Sequence, residues 1–161
     1  MSKGKRFIAA ALLACGFAAN AFAQGNCIEL KTTGEVEKEI VNDKGEKAKV
    51  LVPAGKVIPG TEVVWTVTAS NVCKQASDNV VISNPVPEHM TLVPGSAIGA
   101  GSDISYSIDG KIFDSIDKLS VTEGGAKRPA RAEDVKHVRW AFKNSLQPGA
   151  SAFGRFRAVL N

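Results

Sequence analysis

The stretch from Val57 to Ala97 constrains the fold of this chain more than any other. It reads V-I-P-G-T-E-V-V-W-T-V-T-A-S-N, a short loop, then N-V-V-I-S-N-P-V-P-E-H-M-T-L-V-P-G-S-A. Pro59-Gly60 predicts a turn, because proline presets its own φ and glycine accepts the positive φ that a type II turn needs next. The run that follows alternates, with Val63, Trp65, Val67 and Ala69 on one face and Glu62, Thr66, Thr68 and Ser70 on the other. Period two with β-branched residues is the pattern of a half-buried strand. A second strand, Asn79 to Ser83, is stopped by Asn84-Pro85 and Pro87, since proline cannot donate to a sheet ladder.

The rest of the chain repeats this grammar. Cys27 to Thr33 is extended, and Glu35–Val41 and Lys47–Val52 flank the turn Asn42-Asp43-Lys44-Gly45 as a polar hairpin. Its charge density suits an edge that resists sheet-to-sheet association. Asp103–Ile108 and Lys111–Phe113 enclose Asp109-Gly110, a two-residue hairpin signal. Leu119–Thr122 reads as a short strand and Ala130–Val135 as a single helical turn. His137–Phe142 puts Val138, Trp140 and Phe142 inward, with His137 and Arg139 outward. After Pro148-Gly149, Ser151–Leu160 places Gly154, Phe156, Ala158 and Leu160 on one face and Phe153, Arg155 and Arg157 on the other. The expectation is an all-β protein: an immunoglobulin-like antiparallel β-sandwich of about eight or nine strands, with Trp65 and Trp140 as core anchors.

Residues 1–23 read as a signal peptide. Lys3, Lys5 and Arg6 precede an apolar run, and Ala21-Phe22-Ala23 offers small residues at −3 and −1 for cleavage before Gln24. The rival is a lipobox, Leu12-Leu13-Ala14-Cys15-Gly16, in which Cys15 becomes lipidated; the apolar run continuing past Cys15 argues for simple secretion. Residues 24–161 then form a single domain by length, with no linker inside it. Three of the 20 bases and none of the 16 acids lie in the leader, which leaves 17 against 16, or +1. That balance gives no case for nucleic acid. The basic cluster Lys127-Arg128-Pro129-Ala130-Arg131 lacks interleaved aromatics and reads as a solvated loop.

Cys27 and Cys73 remain after the leader, and an even count in an exported chain reads as a disulfide. Two buried thiols are the alternative. A zinc site is a poor third, since His89 and His137 are isolated and show no ligand spacing to either cysteine. No cofactor or metal is expected. The glycine-rich loop Pro94–Ser102 lacks the Lys-Ser/Thr of a phosphate loop and a following helix, so it reads as a flexible connection. No nucleophile elbow, H-E-x-x-H or calcium loop is present. The paired acids Asp114/Asp117 and Glu133/Asp134 read as solvated, and Glu88-His89 follows a strand end where functional side chains often sit.

In order along the chain, V-I-P-G-T-E-V-V-W-T-V-T-A-S-N, N-V-V-I-S-N-P-V-P-E-H-M, P-G-S-A, S-I-D-G-K-I-F, V-R-W and L-Q-P-G-A-S resemble the conserved-repeat surface domain of bacteria. That Ig-like family of unknown function often occurs in tandem in large cell-surface proteins. The resemblance runs from about Glu35 to Leu160 and implies no catalytic residues. Asn71-Val72-Cys73 stands where the family commonly has Asn-Thr-Gly, which makes the cysteine pair a local addition. The expected function is that of an exported, non-enzymatic module contacting a protein partner, or itself, at the cell envelope. Two other classes stay open: a filament subunit joined by β-strand addition through Gln24–Thr33, and a small secreted enzyme.

Overall fold

A computed structural model describes residues 27–161; the signal-peptide reading and Cys15 lie outside the described residues. Ten strands alternate with two single 3-10 turns, Ile116–Lys118 and Ala132–Asp134. The strands are β1 (Ile28–Val41), β2 (Lys47–Pro53), β3 (Glu62–Asn71), β4 (Val81–Pro85), β5 (Met90–Leu92), β6 (Ser102–Ser107), β7 (Ser120–Glu123), β8 (Ala126–Pro129), β9 (His137–Phe142) and β10 (Ser151–Leu160). One sheet has the order β2-β1-β3-β10-β5 and the other β4-β9-β6, with β7 and β8 forming a separate hairpin. Every pairing of named strands is antiparallel. The all-β sandwich expected from the alternation is the architecture found.

The core lies between the two sheets. Val67, Ala69, Phe156 and Ala158 of the large sheet meet Ile82, Val138 and Trp140 of the small one, all fully or almost fully buried. Trp140 is its centre. It stacks on Phe156 with ring centroids 6.3 Å apart, and its indole N–H donates to the Ile98 carbonyl at 2.9 Å, so the polar edge of the ring is satisfied in the interior. Gly154 and Gly99 press directly on the ring, leaving no room for a side chain at either position. Trp65 departs from its expected burial. It packs against the core, with its ring lying over Gly34 of β1, but is only half-buried.

Three local expectations change. Cys27–Thr33 and Glu35–Val41 belong to one 14-residue strand. Gly34 does not break it, since the Trp65 ring lies against the glycine and the pairing passes straight through. Lys111–Phe113 is not a strand: the Asp109 carboxylate accepts from the Lys111 and Ile112 N–H groups (2.8 and 3.1 Å), which bends the chain locally in place of a ladder. Only Tyr106 and Asp114 pair across that turn. Finally, β8 has no counterpart in the alternation; Gly124 and Gly125, both at positive φ (58° and 83°), make the tight turn that joins it to β7.

Candidate functional site

The N-terminal end of β1 is fixed rather than trailing. Ile28–Glu35 pairs with β3 along its whole length, and the Val72 N–H donates to the Cys27 carbonyl at 2.9 Å. The sulfurs of Cys27 and Cys73 lie at disulfide distance, with Cα atoms 5.1 Å apart. Beside them Asn71, fully buried, donates to the carbonyls of Gln75 and Leu146 (both 2.8 Å) and accepts from the Cys73 N–H. The bend after β3 is therefore organised by one buried amide and one cysteine pair.

Glu88 and His89 occupy a tight turn between β4 and β5, closed by the Met90 N–H donating to the Pro87 carbonyl. His89 holds a left-handed φ of 61°, uncommon outside glycine. The Asn161 N–H donates to the His89 carbonyl, which braces the turn against the chain's last residue. A depression of about 350 Å³ opens there, gathering Glu88 and His89 with Glu133 and Lys136. All four side chains are exposed. Such a surface can recognise a partner through charge and hydrogen bonds.

The glycine-rich loop differs from its expectation. It is tied down: Ile98 and Arg155 exchange both backbone hydrogen bonds (2.8 and 2.9 Å), and the Ser96 hydroxyl donates to the Val93 carbonyl while accepting from the Arg157 N–H. Gly99 is glycine because the Trp140 ring lies against it, so the loop closes the end of the core. Next to it Val80, Phe142, Leu146 and Ala152, with Asn144 and Ser145, line a small hollow of about 140 Å³.

The acid pairs separate into different roles. Asp134 receives both Nη groups of Arg128 (2.6 and 3.0 Å) and the Arg131 N–H, which lowers its carboxyl pKa to about 2. Its neighbour Glu133 is exposed at the depression. Arg128 also reaches Glu123, so the basic cluster is in part an ion-paired strand, not a solvated loop. Asp114 has its carboxyl lowered by the Ser115 N–H and Lys118, while Asp117 is simply exposed. Among the described residues no three His, Cys, Asp or Glu side chains are grouped to hold a metal, and no helix is long and apolar enough to cross a membrane.

Two clusters escaped the sequence reading. On the outer face of the large sheet Arg157 bridges Glu37 of β1 (2.6 Å) and Glu62 of β3 (2.7 Å), the first a link over 120 residues that periodicity cannot reveal. On the outer face of the small sheet the Arg139 guanidinium stacks on Phe113 at 3.3 Å, and His137 meets the same ring edge-on. The sequence signal was Phe113 just after Asp109-Gly110, which delivers an aromatic back onto β6 and β9. Together these features define an antiparallel β-sandwich whose first strand begins at a cysteine pair at disulfide distance and whose loops are braced. Comparison with family models, curated proteins and solved structures returns no match.

Proposed function

We propose that the protein is an exported, non-enzymatic, immunoglobulin-like module of the bacterial cell envelope that acts by contact. The observation that carries this reading is the Cys27–Cys73 pair at disulfide distance, in a chain whose first residues have the pattern of a cleavable leader. The resemblance to the conserved-repeat surface domain supports the same compartment. The contact surfaces are the Glu88-His89 depression, the loop Pro94–Ser102 and the N-terminal part of β1. Each is braced by the sheets, so each presents its groups without a large ordering cost. The filament alternative is the weaker reading: Ile28–Thr33, the segment it would donate, is laid into the protein's own sheet beside β3.

Expression with the native leader in a bacterial host tests the proposal. The mature chain should begin at Gln24, fractionate with the periplasm or medium, and show no reactive thiol after denaturation without reductant. A lipidated Cys15 refutes simple secretion. A hydrolase panel finding turnover that is abolished by His89→Ala or Asp114→Asn refutes the contact reading.

A further inference from the structure

The strand edges of this sandwich are not equivalent. β5 is three residues long, and β4 ends in Asn84-Pro85. β6 is capped at Tyr106 by its bridge to Asp114. β2 is longer but carries the exposed Lys47 and Lys49, and lysines on an edge are a common guard against association. The remaining edge belongs to β1. β2 covers only Glu35–Val41, and the Ala54 N–H donates to the Gly34 carbonyl. From Cys27 to Thr33 the side of β1 facing away from β3 has no paired strand among the described residues. Leu30, on the core-side face at the middle of that edge, is 55% exposed.

We infer that this edge pairs with its own copy, joining two protomers through β1 in an antiparallel, two-fold dimer. The inference rests on the contact reading above and names the partner. Outward-facing N–H and C=O groups alternate along an edge, so two identical antiparallel strands can register only with one residue on the two-fold axis. With Lys31 or Glu29 on the axis, like charges oppose each other. With Leu30 on the axis, Glu29 faces the partner's Lys31, Lys31 faces the partner's Glu29, and Ile28 faces the partner's Thr32. The outermost pairs are Cys27 with the partner's Thr33, so this register uses the open edge from end to end. Neither Glu29 nor Lys31 has an ion-pair partner within its own chain among the described residues, so both are available for cross-strand pairing. Leu30 packs on its symmetry mate, removing its exposed surface from water. Two identical patches closed by a two-fold axis give a dimer and not a fibre.

Sedimentation equilibrium on the mature protein, residues 24–161, tests this with charge-swapped variants. The wild type should be a reversible dimer that weakens as salt rises. Glu29→Lys and Lys31→Glu should each weaken it about tenfold, because each replaces two attractive cross-strand pairs by two repulsive ones. An equimolar mixture of the two single variants should dimerise again, since each then faces the opposite charge. The double variant E29K/K31E should dimerise by itself. Circular dichroism and urea midpoints confirm that the variants are folded. A wild type that stays monomeric at the highest attainable concentration, or a dimer indifferent to the swaps, overturns the inference. A monomer that still binds envelope fractions overturns the dimer and leaves the contact reading standing, whereas hydrolase turnover removes the contact reading whatever the mass.

Discussion

Gly154→Ala sets two simple effects against each other. Gly154 lies in the middle of β10, paired with Val67, and its φ is not in the left-handed region. The backbone argument alone therefore predicts that alanine stabilises, by about 0.4–1 kcal/mol, through a less flexible unfolded chain. The packing argument predicts the opposite. An added Cβ would lie 2.5 Å from Cε2 and 2.6 Å from Cε3 of Trp140, distances that real Cβ atoms essentially never show. The ring cannot retreat: it is 0% exposed, stacked on Phe156, bonded to the Ile98 carbonyl and backed by Gly99. Overpacking of this kind costs about 1–3 kcal/mol, which outweighs the backbone gain. Trp140→Ala removes the ring and should cost about 3–5 kcal/mol through lost burial and the cavity left behind. The double variant decides the matter, because the methyl added in place of the Gly154 hydrogen then enters space the ring has vacated. Urea unfolding followed by circular dichroism should show a double variant less destabilised than the sum of the singles by about 1–3 kcal/mol. Additivity within about 0.5 kcal/mol, or a Gly154→Ala variant as stable as wild type, would refute the packing assignment.

Other expectations are shorter to state. Cys73→Ser should lower stability by about 2–5 kcal/mol in chemical denaturation, the usual loss for a native bridge in a small exported domain, and should expose one thiol to titration. Asn71→Ala should cost about 1–3 kcal/mol, since it takes the partner from the Gln75 carbonyl and the Cys73 N–H and leaves the Leu146 carbonyl only its bond from the Ser77 N–H, and the loss should appear in thermal melts. Asp134 ionises near 2 when folded but near 4 when unfolded, so its contribution of about 1–2 kcal/mol is complete above pH 4 and is lost as the pH falls from 4 toward 2. Arg128→Gln should flatten that part of the stability–pH curve, and an unchanged curve would show that the pair does not couple to folding.

What the sequence reveals follows from which interactions are local. β3, β9 and β10 are legible because one side of each strand meets the core, which imposes period two on Val63–Ala69, Val138–Phe142 and Gly154–Leu160. β8 is not, because Ala126–Pro129 pairs only with β7 and buries no residue, so no alternation marks it. The Lys111–Phe113 error has another cause: the Asp109 side chain supplies locally the bonds that a strand would have sought across the hairpin. At the candidate contact surfaces, Glu88 and His89 were visible as a polar pair after a strand end. Their neighbours Glu133 and Lys136 were not, since only the folded arrangement of the Ala132–Asp134 turn beside β5 brings them to the same depression. The bracing of Pro94–Ser102 likewise depends on Ile98 meeting Arg155, a pairing 57 residues away along the chain.

The central position of β3 determines how the domain would bear load. β1 and β10 flank it on opposite sides, both antiparallel to it and hence parallel to each other. β1 begins opposite Asn71, at one end of β3, and β10 ends opposite Glu62, at the other. Tension applied between Ile28 and Leu160 therefore runs along the strands for about 30 Å, the length of a ten-residue strand. In that direction the hydrogen bonds between β3 and β10 are sheared together and cannot be peeled one at a time. A Cys27–Cys73 bridge would carry the pull from the start of β1 into the Asn71 end of β3 by covalent bonds, which makes the β10 side of the sheet the first place to yield.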